Sequence, residues 1–155
     1  MPEFMSRLLY LIDTNVFSAM GSKGNANVKA WLDTVDDDQY RISPIVYQEM
    51  RHGREKQLAD LIRKNQDTSQ VANYLAALDR FEQDFEDRQV PITMAISAEV
   101  ARMLGAKSKN YCDVVLAATA RIHGLIVVTR NVKDFTGRDV DLLNPFDLNP
   151  QVQHV

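Results

Sequence analysis

Cysteine is nearly absent. Cys112 is the only one in 155 residues, so no internal disulfide can form, and a lone thiol fits a reducing, cytoplasmic setting. No apolar run approaches the ~20 residues that cross a bilayer. The N-terminus lacks a basic region followed by a signal-type apolar stretch and a small-residue cleavage site. No phosphate-cradling glycine loop is present, since Gly21 and Gly24 do not make one. There is no Gly-x-Ser-x-Gly elbow. The histidines form no zinc pattern; His52 and His123 read as surface or helix-end residues, and Cys112, without a nearby His, reads as core. Positive charge is not in excess either: 18 Lys and Arg stand against 21 Asp and Glu, a net charge of −3. That disfavours a general nucleic-acid binder, which needs Lys and Arg on phosphates. It does not exclude a nuclease, because a carboxylate cluster inflates the acidic count and a bound metal reverses its local sign.

With 45% hydrophobic and 25% charged residues, the composition is that of a globular protein long enough to bury a core. No repeat or Pro/Gly/Ser-rich linker divides it. Residues 5–147 are expected to form one domain. Met1-Pro2-Glu3-Phe4 reads as a vector-derived scar before a natural start at Met5, and residues 148–155 read as a loose tail.

Apolar strands alternate with helices along the chain. Residues 7–12 are a continuous apolar-rich run, the mark of a strand buried on both faces. Further strands are expected at Tyr40–Ile42, Val90–Thr93 (an edge, because of Pro91), Leu125–Thr129 and Val140–Leu143. Helices are expected over Val16–Met20, Asn27–Val35, Ile45–Arg51, Leu58–Lys64, Val71–Phe85, Ala95–Leu104 and Asp113–Ile122. Ser43-Pro44 starts one as N-cap and first helical residue, and Gly53 is a candidate to end or bend it. Asp36-Asp37-Asp38 reads as a solvated turn. Such alternation implies an α/β fold with a parallel sheet covered on both faces. Ligands of such folds bind beyond the carboxyl ends of the strands.

Four acids sit where that edge would gather them. Asp13 closes the first strand, Glu49 follows Ser43-Pro44 on a helix, Asp113 opens the apolar helix, and Asp134 follows the strand ending at Thr129. Each also has a plain reading. Asp13, Thr14 and Asn15 all cap helices well. Glu49 alone is an ordinary helix residue. Asp113 is favoured by the helix dipole, though its apolar company calls for a compensating charge. Asn131 and Asp134 are common turn residues. Taken together they form an all-oxygen ligand set that favours Mg²⁺, or Mn²⁺, over Zn²⁺. Thr14 could offer its hydroxyl to water or phosphate, Asn15 could brace the turn, and Thr129 could hydrogen-bond a ligating carboxylate. Hard cations held by carboxylates suit phosphodiester hydrolysis. Arg51, His52, Arg54 and Lys56, with Lys107 and Lys109, could form a basic rim.

In order and spacing these motifs resemble the PIN-domain ribonucleases, and within them the VapC/FitB-like toxins of type II toxin–antitoxin modules. The resemblance rests on Leu11-Ile12-Asp13-Thr14-Asn15-Val16, Glu49-Met50-Arg51-His52-Gly53, and Asp113-Val114-Val115-Leu116-Ala117-Ala118-Thr119-Ala120. It continues through Val128-Thr129-Arg130-Asn131-Val132-Lys133-Asp134-Phe135 and Leu142-Leu143-Asn144-Pro145-Phe146. It implies a three-layer α/β/α sandwich with a central parallel sheet and a Mg²⁺-dependent endoribonuclease acting on single-stranded RNA. Asp13, Glu49 and Asp113 match the family's metal-binding acids. Asp134 matches a more variable fourth position, with Asn131 its rival or helper. A homodimer and a small antitoxin that fills the active-site groove are also implied. The approach to Asp113, residues 105–112, is short and atypical beside many relatives. Two other readings keep this fold: a PIN nuclease of RNA processing outside such modules, and a PIN domain that only binds a partner. A receiver-type signalling domain is disfavoured, because Asp13 has no acidic neighbour and Asp113 opens a helix.

Overall fold

The computed structural model describes residues 7–21, 23–105 and 110–155. The proposed scar at residues 1–4 and the basic pair Lys107 and Lys109 lie outside them. Five strands form one sheet in the order β2-β1-β3-β4-β5. They are β1 Tyr10–Ile12, β2 Tyr40–Arg41, β3 Ile126–Val128, β4 Asp141–Leu143 and β5 Gln153–His154. The first four are parallel, and β5 runs antiparallel to β4. The helices are α1 Thr14–Ser18, α2 Ala26–Leu32, α3 Pro44–Arg63, α4 Ser69–Asp84, α5 Met94–Leu104, α6 Tyr111–His123 and α7 Val132–Phe135.

Side-chain alternation on the strands separates two cores. Leu11, Val127 and Leu142 point to one face and pack with Val46 of α3, Ile96 of α5 and the buried stretch Val114–Ala118 of α6. Tyr10, Ile12, Ile126, Val128 and Leu143 point to the other and pack with Val16 of α1 and Val28 and Trp31 of α2. The result is the three-layer α/β/α arrangement. Because β1 has β2 on one side and β3 on the other, the strand order reverses at β1/β3, where ligands collect in sheets of this kind. The register aligns Ile12 with Val128 and Val128 with Leu143. Asp13 and Thr129 therefore leave the sheet side by side at its carboxyl edge.

Several elements differ from expectation. Gly53 does not end its helix: α3 runs unbroken for 20 residues, and a Cβ at Gly53 would meet nothing within 4 Å. Here Gly costs about 1 kcal/mol against Ala without breaking a well-packed helix. The two expected helices are thus one, and it folds back on α4 through Val71, Leu75 and Leu78 against Tyr47, Met50, Leu58 and Leu61. Residues 90–93 form no strand. A single bridge joins Ile42 to Gln89, and Thr93 caps α5 by accepting from the Ile96 N–H at 3.3 Å. The acidic run 36–38 is a solvated turn that includes a short 3-10 helix and is held by Arg7, which pairs with Asp36 and with Asp38 (2.6 Å).

The tail read as loose instead supplies β5, and Val155 exchanges two backbone hydrogen bonds with Val140 at 2.9 and 3.1 Å. Its clamp is His154, whose Nδ1 lies 3.0 Å from Asp141 and Nε2 2.9 Å from Asp139; Asp139 also pairs with Arg121 at 3.1 Å. Hydrogen bonding first to Asp141 and then to Asp139 raises the His154 pKa above its ordinary 6.5. A raised folded-state pKa means that the clamp is complete below about 6.5 and weakens as pH rises through the higher folded value. The expected outcome is that amide protection of Val140 and Val155, corrected for intrinsic exchange, falls from pH 6 to 8. In His154→Gln it should be low and pH-independent over the same interval.

Candidate active site

Asp13 is the best-fixed of the four acids. It follows β1 directly, donates its backbone N–H to the Val128 carbonyl at 3.0 Å, and stands as N-cap of α1. Its side chain is buried, with 4% exposure. Three donors meet it: the Thr14 N–H at 2.7 Å, Thr129 Oγ1 at 2.7 Å and Asn15 Nδ2 at 3.1 Å. Capping and site-building are therefore the same contact here. Burial raises the Asp13 pKa most, the Thr129 and Thr14 bonds oppose that, and the Glu49 charge adds to it.

Thr129 is the hub beneath. It is fully buried. Its hydroxyl donates to Asp13 and accepts from Asn15 Nδ2 at 3.1 Å and from the Asn131 N–H at 3.0 Å. Asn15 in turn accepts the Arg130 N–H at 3.1 Å. The strand-end turns after β1 and β3 are thus laced together by two side chains, and Asp13 cannot rotate without breaking the lacing.

Asp113 lies in the first turn of α6, which Asn110 opens in the left-handed conformation (φ 58°). Asn tolerates that region better than most residues. Asp113 is half-buried, and its pKa is pushed up to about 6. Desolvation is the largest cause, followed by the charges of Asp13, Asp134 and Glu49, with Arg138 opposing. Asp134 sits on α7, a helix read in sequence only as a turn, and accepts from Asn110 Nδ2 at 3.2 Å. Glu49 is exposed on α3. Burial and the adjacent Glu49 carboxylate push the Cys112 thiol up to about 11, so this cysteine is no thiolate nucleophile at neutral pH.

The charges of Asp13, Glu49 and Asp134 therefore all act on Asp113 at the carboxyl edge of the sheet. Asn131 differs: it reaches the network through its backbone N–H, and among the described residues its side chain bonds to none of the acids. The expected basic rim changes more. Arg51 turns to α4, bonding Asp79 at 2.7 Å and Tyr47 at 2.9 Å, and Arg54 lies 4.1 Å over the Tyr74 ring. Both brace the helical hairpin. Asn110 and Arg138 were missed in sequence; only the left-handed preference of Asn gave any signal of the first.

The donor chemistry fits a hard divalent cation. All the donors are oxygens, they repel one another, and the Thr14 hydroxyl beside Asp13 is buried without a hydrogen-bond partner. Among the described residues no three acids, histidines or cysteines are grouped closely enough to hold a metal ion by themselves.

The PIN domain family model matches residues 10–137. Toxin FitB of Neisseria gonorrhoeae (strain ATCC 700825 / FA 1090) is 30% identical over 148 residues, covering 89% of this chain and 99% of FitB. VapC ribonuclease Y4jK of Sinorhizobium fredii (strain NBRC 101917 / NGR234) is 26% identical over 145 residues, covering 90% of this chain and 99% of that protein. The crystal structure of FitAcB from Neisseria gonorrhoeae matches with a TM-score of 0.75 and 28% identity, covering 90% of this chain and all of that one. With the strand-end acids in place and the match spanning most of its length, the chain belongs to the PIN domain family.

Proposed function

We propose that this chain is a metal-dependent endoribonuclease, the toxin of a toxin–antitoxin pair. The observation that carries the reading is the gathering of Asp13, Glu49 and Asp134 around the half-buried Asp113 near the β1/β3 switch point, where desolvation and their charges push its pKa up to about 6. Similarity to a toxin and to a ribonuclease along nearly the whole chain supports it. Asp13 and Asp113 would hold Mg²⁺, or Mn²⁺, with Asp134 completing the outer contacts. Such a cation supplies Lewis acidity, making water acidic enough to attack near neutral pH and offsetting charge on the phosphate.

The residues do the rest. Thr129 and Asn15 fix the Asp13 carboxylate, so no reorganisation is needed when substrate arrives. Asn110 orients Asp134. Glu49, exposed on α3, would align the attacking water and take its proton on a carboxylate oxygen. An antitoxin would silence the site by presenting Arg or Lys to this excess of carboxylate. A homodimer and a cytoplasmic setting belong to the same proposal. Among the described residues no helix is long and apolar enough to cross a membrane.

Purified protein incubated with single-stranded RNA tests the reading. Cleavage should appear with Mg²⁺ or Mn²⁺, stop with EDTA, and stop again when the antitoxin is added. Cleavage that persists in EDTA would exclude the metal-dependent mechanism.

A further inference from the structure

On the far side of Asn15 from Asp13 lies an open cleft of about 520 Å³, lined chiefly by Asn15, Lys23, Gly24, Asn25, Arg130 and Phe146. Its walls are built. Arg130 is exposed, but its backbone is tied to Asn15 Oδ1 at 3.1 Å, and its guanidinium lies 5.0 Å from the Phe146 ring centroid. Among the described residues it makes no ion pair. Phe146 is held from both sides: its carbonyl accepts from Asn27 Nδ2 at 2.8 Å and its N–H donates to Asn144 Oδ1 at 3.1 Å. At Gly24 a Cβ would lie 1.8 Å from the Ala19 carbonyl oxygen, so the cleft wall closes there only over glycine.

We propose that this cleft is the subsite for a nucleotide flanking the scissile phosphate of single-stranded RNA, with Arg130 and Phe146 as its stacking platform. The inference rests on the nuclease reading above and adds where the substrate lies. Three observations favour a nucleotide. Asn15 is the shared wall, with Nδ2 on Asp13 and Oδ1 on the Arg130 N–H, so the cleft begins one side chain from the acids. The cleft carries two cations, Lys23 and Arg130, in a chain whose net charge is −3. A planar guanidinium beside an aromatic ring accepts any base face, while Lys23 and Arg130 answer the phosphate.

The test uses Arg130→Gln and Arg130→Lys. A fluorescent ten-nucleotide RNA is titrated in EDTA against Asp113→Asn protein, with and without each Arg130 change. Cleavage of the same RNA in Mg²⁺ is followed with the wild type and the single Arg130 variants. Arg130 is exposed, and equal melting temperatures confirm folding. Arg130→Gln should weaken RNA binding about tenfold and raise KM in proportion, with kcat changed less than about twofold because the contact is made equally before and during reaction. Arg130→Lys should restore the salt dependence of binding but not the full affinity. Unchanged binding and KM in Arg130→Gln would overturn the subsite and leave the cleft to a protein occupant. No cleavage by the wild type would instead sink the nuclease reading, while the binding arm still reports on the cleft.

Discussion

Asp113→Asn should reduce Mg²⁺-dependent RNA cleavage on the order of 10³-fold or more, while making the metal-free protein more stable. The two effects have one cause. Asp113 is desolvated and faces Asp13, Asp134 and Glu49, which together lift its pKa to about 6. Since the unfolded chain ionises near an ordinary carboxylate value, the folded protein holds more protons between about pH 4 and 6. Stability from this group is therefore present at low pH and lost as pH rises through 6, the reverse of the usual salt-bridged aspartate. The full shift corresponds to about 3 kcal/mol, and solvent screening of a half-exposed group brings that to about 1 kcal/mol. Asn removes the repelling charge and keeps the shape. Thermal melts at pH 7.5 in EDTA should place the variant a few degrees above wild type. A variant that is inactive because it has unfolded would contradict this account.

Thr129→Val should cost a further large effect by a different route. Valine matches the shape of threonine but cannot donate to Asp13 or accept from Asn15 and the Asn131 N–H. A buried carboxylate loses its nearest side-chain donor, and an amide N–H loses its acceptor. The expected loss of stability is about 1–3 kcal/mol, and of metal affinity or activity about 10- to 100-fold. The loss should show as a higher Mg²⁺ concentration for half-maximal cleavage, with the rate at saturating Mg²⁺ less affected. Thr129→Ser should restore most of both. If Thr129→Val leaves the Mg²⁺ dependence where it was, Thr129 is only a packing residue.

How much of this was legible in the sequence differs by residue. The buried run through Leu11-Ile12 announces β1 because both of its faces are covered, and that places Asp13 at a strand end. Asp113 is legible because its helix is apolar nearly all round. Glu49 is not legible locally; only the docking of α3 on α6 brings it beside Cys112 and the acids. The β5 strand was missed because a two-residue strand has no period to read, and its clamp joins His154 to residues 13 and 15 positions away. The continuity of α3 through Gly53 and the inward turn of Arg51 and Arg54 are tertiary outcomes, decided by the hairpin with α4. Propensity within a single segment does not carry that information.

The central claim is that these carboxylates hold a divalent cation in order to cut RNA. The most direct measurement is the rate of RNA cleavage by purified protein across an EDTA-buffered Mg²⁺ series, set beside calorimetric Mg²⁺ binding to wild type and Asp113→Asn. Cleavage should rise over the concentration range in which Mg²⁺ binds, and both should be lost together in Asp113→Asn. Undiminished cleavage by pure Asp113→Asn protein, or cleavage that does not depend on Mg²⁺, would contradict it.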